Sequence, residues 1–246
     1  MTRTISLGLA ATALALTSAC AQEPVDASNT EAIEQIVENY ILENPEVIEA
    51  ALIALSEKRD AEERAMTLAA IEDNQGTLIS ATDPFIGAED APVSVIVFSA
   101  YSCGFCKRAT PFVTDLPEAY DQKVRVVFKE TPVAAPNLEK AALAAIAAHR
   151  QGKYLEMHRA LMELDNSSGY EPEIIDAAAE EAGLDVLKMR ADMKSIEVQK
   201  TLADSKSLAR TLGITGTPNF VIGTEHVIGY RPELITEVIE AALAES

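Results

Sequence analysis

The chain has 246 residues, 48% of them hydrophobic, enough for one large domain or two small ones. Its 20 basic residues face 39 acidic ones, a formal net charge of −19, so a nucleic-acid backbone is repelled on average and a role in binding one is disfavoured. It has three cysteines, no tryptophan, and no internal repeat or low-complexity run.

Residues 1–21, "MTRTISLGLAATALALTSACA", read as a secretory signal peptide. Arg3 gives a positive start, and the apolar stretch from Ile5 to Leu16 is shorter than the ~20 residues that span a bilayer. Ala19 and Ala21 flank Cys20 in an A-x-A pattern, so cleavage is expected after Ala21. In the alternative, Cys20 is the first mature residue and carries a lipid. Lipoprotein signals usually place a large aliphatic residue three positions before that cysteine; here the position holds Thr17. In both readings Cys20 leaves the cysteine count, and export puts the mature chain in an oxidising compartment.

Residues 22–75 are expected to form a helical segment behind a short polar tether. Ile33, Ile36, Val37, Tyr40 and Ile41 recur at helical spacing; Asn44-Pro45 reads as the start of a second helix, and Ile48, Leu52 and Leu55 continue the stripe. Such a highly charged segment is not expected to fold alone, and its stripe needs a partner: the rest of the chain or, as we expect, another copy of it. Residues 76–92, with "ATDPFIGAEDAP", read as a linker rich in turn formers.

The second domain is expected over 93–246. "VSVIVF" is a buried strand candidate, "RATPFVTDLPEAY" a helix interrupted or kinked by Pro111 and Pro117, and "VRVVFKE" a second buried strand. Helices follow through about 195, then a long one at "EVQKTLADSKSLARTLG", strands at "NFVIG" and "HVIGY", and a last helix at "PELITEVIEAAL". The class is α/β.

Between the first strand and its helix stand Cys103 and Cys106. A structural zinc site needs four ligands, and the only histidines, His149, His158 and His226, have no paired spacing; His149 and His158 read as ordinary, partly buried helix residues and no metal is expected. A bond across two residues closes a tiny loop and stabilises little. Redox exchange remains. A strand ending just before Cys103 puts its sulfur at a helix N-terminus, where peptide N–H groups and the helix dipole favour the reactive thiolate. Cys106, one turn on, can resolve a mixed disulfide by attacking Cys103. Lys107 and Arg108 add positive charge nearby. In "GITGTPNFVIG", Thr217-Pro218 precedes a strand; a cis bond there facing the cysteines would offer the backbone of Thr217 to an extended substrate peptide.

From Val93 onward, through "FSAYSCGFCK", "VVFKE" with Thr131-Pro132, and "GITGTPNFVIG", the chain resembles the DsbA family of exported thiol–disulfide oxidoreductases. The front stretch "IEQIVENYILENPEVIEAAL" resembles the ScsC-like subgroup, some of whose members trimerise through this region and act as disulfide isomerases. The resemblance implies a thioredoxin fold with a helical insertion at about 135–195, preceded by an oligomerising segment. It also implies no cofactor, a periplasmic location, a membrane redox partner that recycles the cysteine pair, and cysteine-containing client proteins. Cys103 would be the nucleophile, Cys106 the resolving thiol, Pro218 the cis-proline with Thr217 before it, and Gly104-Phe105 the dipeptide that tunes redox poise. Relatives often carry acidic and aromatic residues where this chain has Ser99-Ala100-Tyr101. Cys-Gly-Phe-Cys lacks the histidine of the strongly oxidising members and looks more like the Cys-Gly-Tyr-Cys of isomerases. An isomerase or reductase is therefore expected; the alternatives are a monomeric oxidase and a non-catalytic chaperone or Cu(I)-binding protein.

Overall fold

The structure, a computed structural model, describes residues 27–131, 136–165 and 169–246. The expected signal peptide, with Cys20, and Pro132 fall outside the described residues. Two compact units divide the chain, Met1–Glu57 and Lys58–Ser246.

In the first unit, helix α1 (Ala27–Glu43) is followed by the start of α2 (Glu46–Asp73). The expected boundary is present, but Asn44 serves the helix before it. Its side-chain amide donates to the Tyr40 carbonyl at 2.8 Å, closing the end of α1, while its own carbonyl accepts from Val47 N–H at 3.1 Å. The stripe Ile33, Ile36, Val37 and Tyr40 is 48, 67, 49 and 55% exposed. These residues sit at helical spacing, so one long apolar face stays in water in a single chain.

Among the described residues of the second unit, five strands, β1 (Phe85–Ile86), β2 (Val93–Ser99), β3 (Val124–Glu130), β4 (Asn219–Ile222) and β5 (Glu225–Ile228), are ordered β1-β3-β2-β4-β5. The central pair, β2 (Val93–Ser99) and β3 (Val124–Glu130), is parallel, in register from Val93↔Val124 to Ser99↔Glu130. Helix α3 (Gly104–Ala119) supplies the crossover that parallel strands require. Among the described residues, four helices lie between β3 and the long α8 (Ile196–Thr211): α4 (Pro136–His149), α5 (Tyr154–Glu163), α6 (Pro172–Glu181) and α7 (Val186–Asp192). Strand β4 (Asn219–Ile222) runs antiparallel to β2, β5 (Glu225–Ile228) antiparallel to β4, and α9 (Pro232–Glu245) ends the chain.

Strand alternation divides the core. Val93, Val95 and Val97 of β2, with Val124, Val126 and Phe128 of β3, pack with α3, α5 and α9. Ile96, Phe98 and Val127 face the other way, onto Ile71 of α2, Leu78, and Ala209 and Leu212 at the end of α8. Helices thus cover both faces, which is why these strands read as continuous β-branched runs.

Three expectations change. The segment 76–92 is part of the domain, not a free linker: Phe85–Ile86 forms β1, antiparallel to β3, and Asp83 is buried in an ion pair with Lys129. Gly87 leaves β1 at φ +95°, where a Cβ would lie 2.9 Å from the Val124 carbonyl oxygen, so the run of turn formers serves a close approach to the sheet. The front segment also ends earlier than residue 75, because Thr67 and Ile71 of α2 are buried within the second unit. Finally, of the interruption or kink expected at Pro111 and Pro117, the interruption does not occur: α3 is one helix through both. Burial of Ala109, Val113 and Leu116 against the sheet outweighs the two ladder hydrogen bonds that Pro111 and Pro117 cannot donate.

Candidate active site

Strand β2 ends at Ser99, and a turn held by Cys103 N–H donating to the Ala100 carbonyl (3.1 Å) delivers Cys103 to the N-cap of α3. Cys103 is extended (φ −82°, ψ 112°), and its sulfur accepts from Cys106 N–H at 3.3 Å. Across the site, β2 pairs with β4, so the approach to β4 runs beside the start of α3. The Thr217-Pro218 bond there is cis, and the Cys103 thiol donates to the Thr217 carbonyl at 3.1 Å. Asn219 Nδ2 ties this bend to the Gly216 carbonyl at 2.8 Å, and His226 Nε2 lies 2.7 Å from Asn219 Oδ1. Four sequence-predicted residues from two distant stretches, Cys103, Cys106, Thr217 and Pro218, thus come together.

The two thiols differ as their chemistry requires. Burial works against charge on Cys103, but hydrogen bonds to its sulfur from the Cys106 and Thr217 side chains and from the Cys106 and Phe105 backbone outweigh it, and the thiol lies below its ordinary value. Cys106 is only 2% exposed; burial, with the neighbouring Cys103 sulfur adding to it, pushes its thiol up to about 12. One sulfur is half-exposed and inclined to ionise, and the other is held neutral behind it.

Of the tuning dipeptide, Gly104 opens α3 and Phe105 is 59% exposed beside Cys103. Arg108 stacks its guanidinium on Phe105, 4.1 Å from the ring centroid, and Lys107 donates to the Leu164 carbonyl. Both cations therefore have specific partners.

The sequence reading passed over Glu130, at the end of β3 opposite Ser99 in the register. Its Oε1 accepts from Tyr101 and Tyr154 hydroxyls at 2.8 and 2.9 Å, and both hydroxyls lie 3.2–3.3 Å from His158 Nδ1. His158, expected to be an ordinary helix residue, is fully enclosed beside the cysteine pair. The one available signal was a carboxylate closing a buried strand, VRVVFKE, next to the cysteine-bearing one.

The comparisons with known proteins agree with this geometry. The family described as Thioredoxin matches residues 79–241, and the Copper resistance protein ScsC N-terminal domain matches residues 30–63. A thioredoxin-like oxidoreductase from Silicibacter pomeroyi DSS-3 is 33% identical, with 68% of this chain and 95% of that one covered and a TM-score of 0.63. The thiol-disulfide exchange protein alpha-DsbA2 from Wolbachia pipientis is 25% identical (74% and 98% covered, TM-score 0.66). A linker-deletion mutant of Proteus mirabilis ScsC, also 25% identical, aligns over 94% of this chain and 100% of its own, with a TM-score of 0.63. The chain spans about a quarter of the length of the curated relatives it matches, such as Na(+)/H(+) antiporter NhaA 3 of Salinispora tropica, 29% identical over 163 residues. Among the described residues of this chain no helix is long and apolar enough to cross a membrane. A sheet that sets a cysteine pair at a helix start, matched by the Thioredoxin family over residues 79–241 and preceded in sequence by a stretch that matches the ScsC N-terminal domain, places the chain in the thioredoxin family.

Proposed function

We propose that this chain is an exported, periplasmic enzyme that isomerises or reduces disulfides in cysteine-containing client proteins, working as a homo-oligomer, a trimer in the simplest case, assembled through its front helices. The observation that carries the reading is the Cys103 sulfur: half-exposed, at the start of α3, with a lowered pKa and 3.1 Å from the Thr217 carbonyl. The Cys103 thiolate attacks one sulfur of a client disulfide, forming a mixed disulfide and expelling the other client sulfur as a thiolate. The backbone at Thr217-Pro218 lies where an extended client segment can be held beside that bond. Either the freed client thiolate attacks again, completing isomerisation, or Cys106 attacks Cys103, releases the client reduced and leaves a Cys103–Cys106 disulfide. A membrane redox partner returns that disulfide to the dithiol. Gly104 and Phe105 set the poise through the environment they give the Cys103 thiolate.

Refolding of scrambled ribonuclease tests the activity. Sub-stoichiometric protein restores ribonuclease with repeated turnover, Cys103→Ser abolishes this, and Cys106→Ser accumulates mixed disulfides. Stoichiometric action that survives Cys103→Ser would overturn the enzymatic reading in favour of a binder. A redox titration of the Cys103/Cys106 couple tests direction. A potential near the about −180 mV of a protein disulfide isomerase supports the proposal, and one near the about −120 mV of a strong oxidant makes the protein an oxidase.

A further inference from the structure

We propose that Asn219 and His226 are positioning residues for the client: together they fasten the Thr217-Pro218 bend so that the Thr217 carbonyl faces the Cys103 sulfur and receives a backbone N–H of the bound segment. The proposal rests on the client being held along the Thr217 backbone.

The bend needs fastening because its own sequence does not stiffen it. Gly213 and Gly216 carry no side chain, and a Cβ at Gly216 would meet nothing within 4 Å, so packing does not fix this turn. Hydrogen bonds do. The Gly216 carbonyl accepts from Asn219 Nδ2 at 2.8 Å, and the Pro218 carbonyl from Gly229 N–H at 3.0 Å. The Thr217 carbonyl between them accepts from the Cys103 thiol at 3.1 Å. In the mixed disulfide that sulfur has no proton to give, so the carbonyl is open to a client N–H just when the client is bound.

Asn219 is in turn held from β5. The β4–β5 register sets Val221 opposite His226, and Asn219, two residues before Val221, shares its face, so His226 is the diagonal neighbour of Asn219. His226 Nε2 lies 2.7 Å from Asn219 Oδ1. Hydrogen-bond counting orients both groups. The Asn219 amide gives a hydrogen to Gly216, which turns its oxygen to His226; an amide oxygen only accepts, so Nε2 carries the ring hydrogen and donates it. Burial, with Arg64 of α2 adding to it, pushes His226 below its ordinary value, so the ring stays neutral and this is its one N–H. Asn219 is 4% exposed, so an amide that loses either partner there is left unpaired at a cost. Both residues stand on the sheet face where Val221 packs with Ile71 and Leu212, opposite α3, and so act through the bend rather than on the sulfurs.

The reduced, full-length protein is mixed with two thionitrobenzoate mixed disulfides, one on the single cysteine of a linear peptide and one on mercaptoethanol. In each, the Cys103 thiolate bonds to the peptide or mercaptoethanol sulfur, the bond to thionitrobenzoate breaks, and thionitrobenzoate leaves as the coloured thiolate. Only the peptide has a backbone to pair with Thr217. The ratio of the two second-order rate constants therefore reads that pairing and cancels any change in the thiolate fraction of Cys103. His226→Ala and Asn219→Ala should each lower the ratio about tenfold, within what an unpaired buried polar group costs. His226→Gln, whose amide can donate to Asn219, should recover most of it. The double alanine variant should be no worse than Asn219→Ala, because the two residues act as one unit. Asn219→Asp, isosteric but unable to donate to Gly216 when ionised, should match Asn219→Ala and carries the test if the alanine variants do not fold. A folded His226→Ala or Asn219→Asp with the wild-type ratio overturns the proposal, and so does a His226→Gln as slow as His226→Ala. A wild-type ratio near one is a different failure: it removes the client from the Thr217 backbone, and with it the reading on which the proposal rests.

Discussion

At the scale of single residues, the site divides two chemically identical thiols by where each lies relative to α3. Cys103 is the N-cap, so its sulfur gains from the first turn's N–H groups; Cys106, within that turn, is shut against the sheet. Alkylation of the reduced protein should therefore modify Cys103 alone across the neutral range, with the rate rising at a pH below that of a free thiol. Cys106 should react only on unfolding. Mass spectrometry of peptides after timed iodoacetamide treatment reads both, and equal labelling of the two thiols contradicts the arrangement. The same asymmetry has a sign in stability. A thiol whose folded value is depressed contributes stability that is present above the unfolded value and lost as pH falls through the folded one. The reduced protein's margin over Cys103→Ser should therefore shrink on acidification.

At the scale of elements, α2 contains both kinds of surface. Ile71, fully buried against Phe98, Val127 and Leu212, belongs to the catalytic unit, whereas Leu52, nearer its start, is exposed. Ile71→Ala should cost about 2–5 kcal/mol in urea unfolding at any protein concentration, the usual result of deleting a fully buried aliphatic side chain. This division was hidden in the sequence, where the charged run through Arg64 looks uniformly solvated and nothing local says that Ile71 meets the sheet. Strands β2 and β3 were legible because both of their faces are covered, and the β-branched runs have no other use. The two-residue β1 carries no period to detect and exists through its pairing with β3. The cysteine pair and Thr217-Pro218 were legible as motifs. The Glu130 network was not, since it joins the end of β3, the turn after β2 and a face of α5, and only the folded chain brings these together.

At the scale of the whole molecule, the question is what an exposed apolar helix adds to the proposed exchange activity. Ile33, Ile36, Val37 and Tyr40 form a face that a single chain leaves in water, and the region matches the ScsC N-terminal domain. Burial of such a face between copies would gain roughly 25 cal/mol per Å² of apolar surface. It would also bring several Cys103 sulfurs to one client, raising the effective concentration at a disulfide that one site has just opened. Replacing Ile33 and Val37 together with aspartate separates assembly from chemistry, because neither residue lies in the catalytic unit. The mass by light scattering should fall to that of one chain, and iodoacetamide should modify Cys103 at the wild-type rate. Refolding of scrambled ribonuclease per active site should fall on the order of 10²-fold, the low end of what linked sites gain. A wild-type protein that already scatters as one chain removes the assembly. A variant that becomes monomeric yet refolds ribonuclease at full rate keeps the assembly but shows that shuffling needs only one active site at a time.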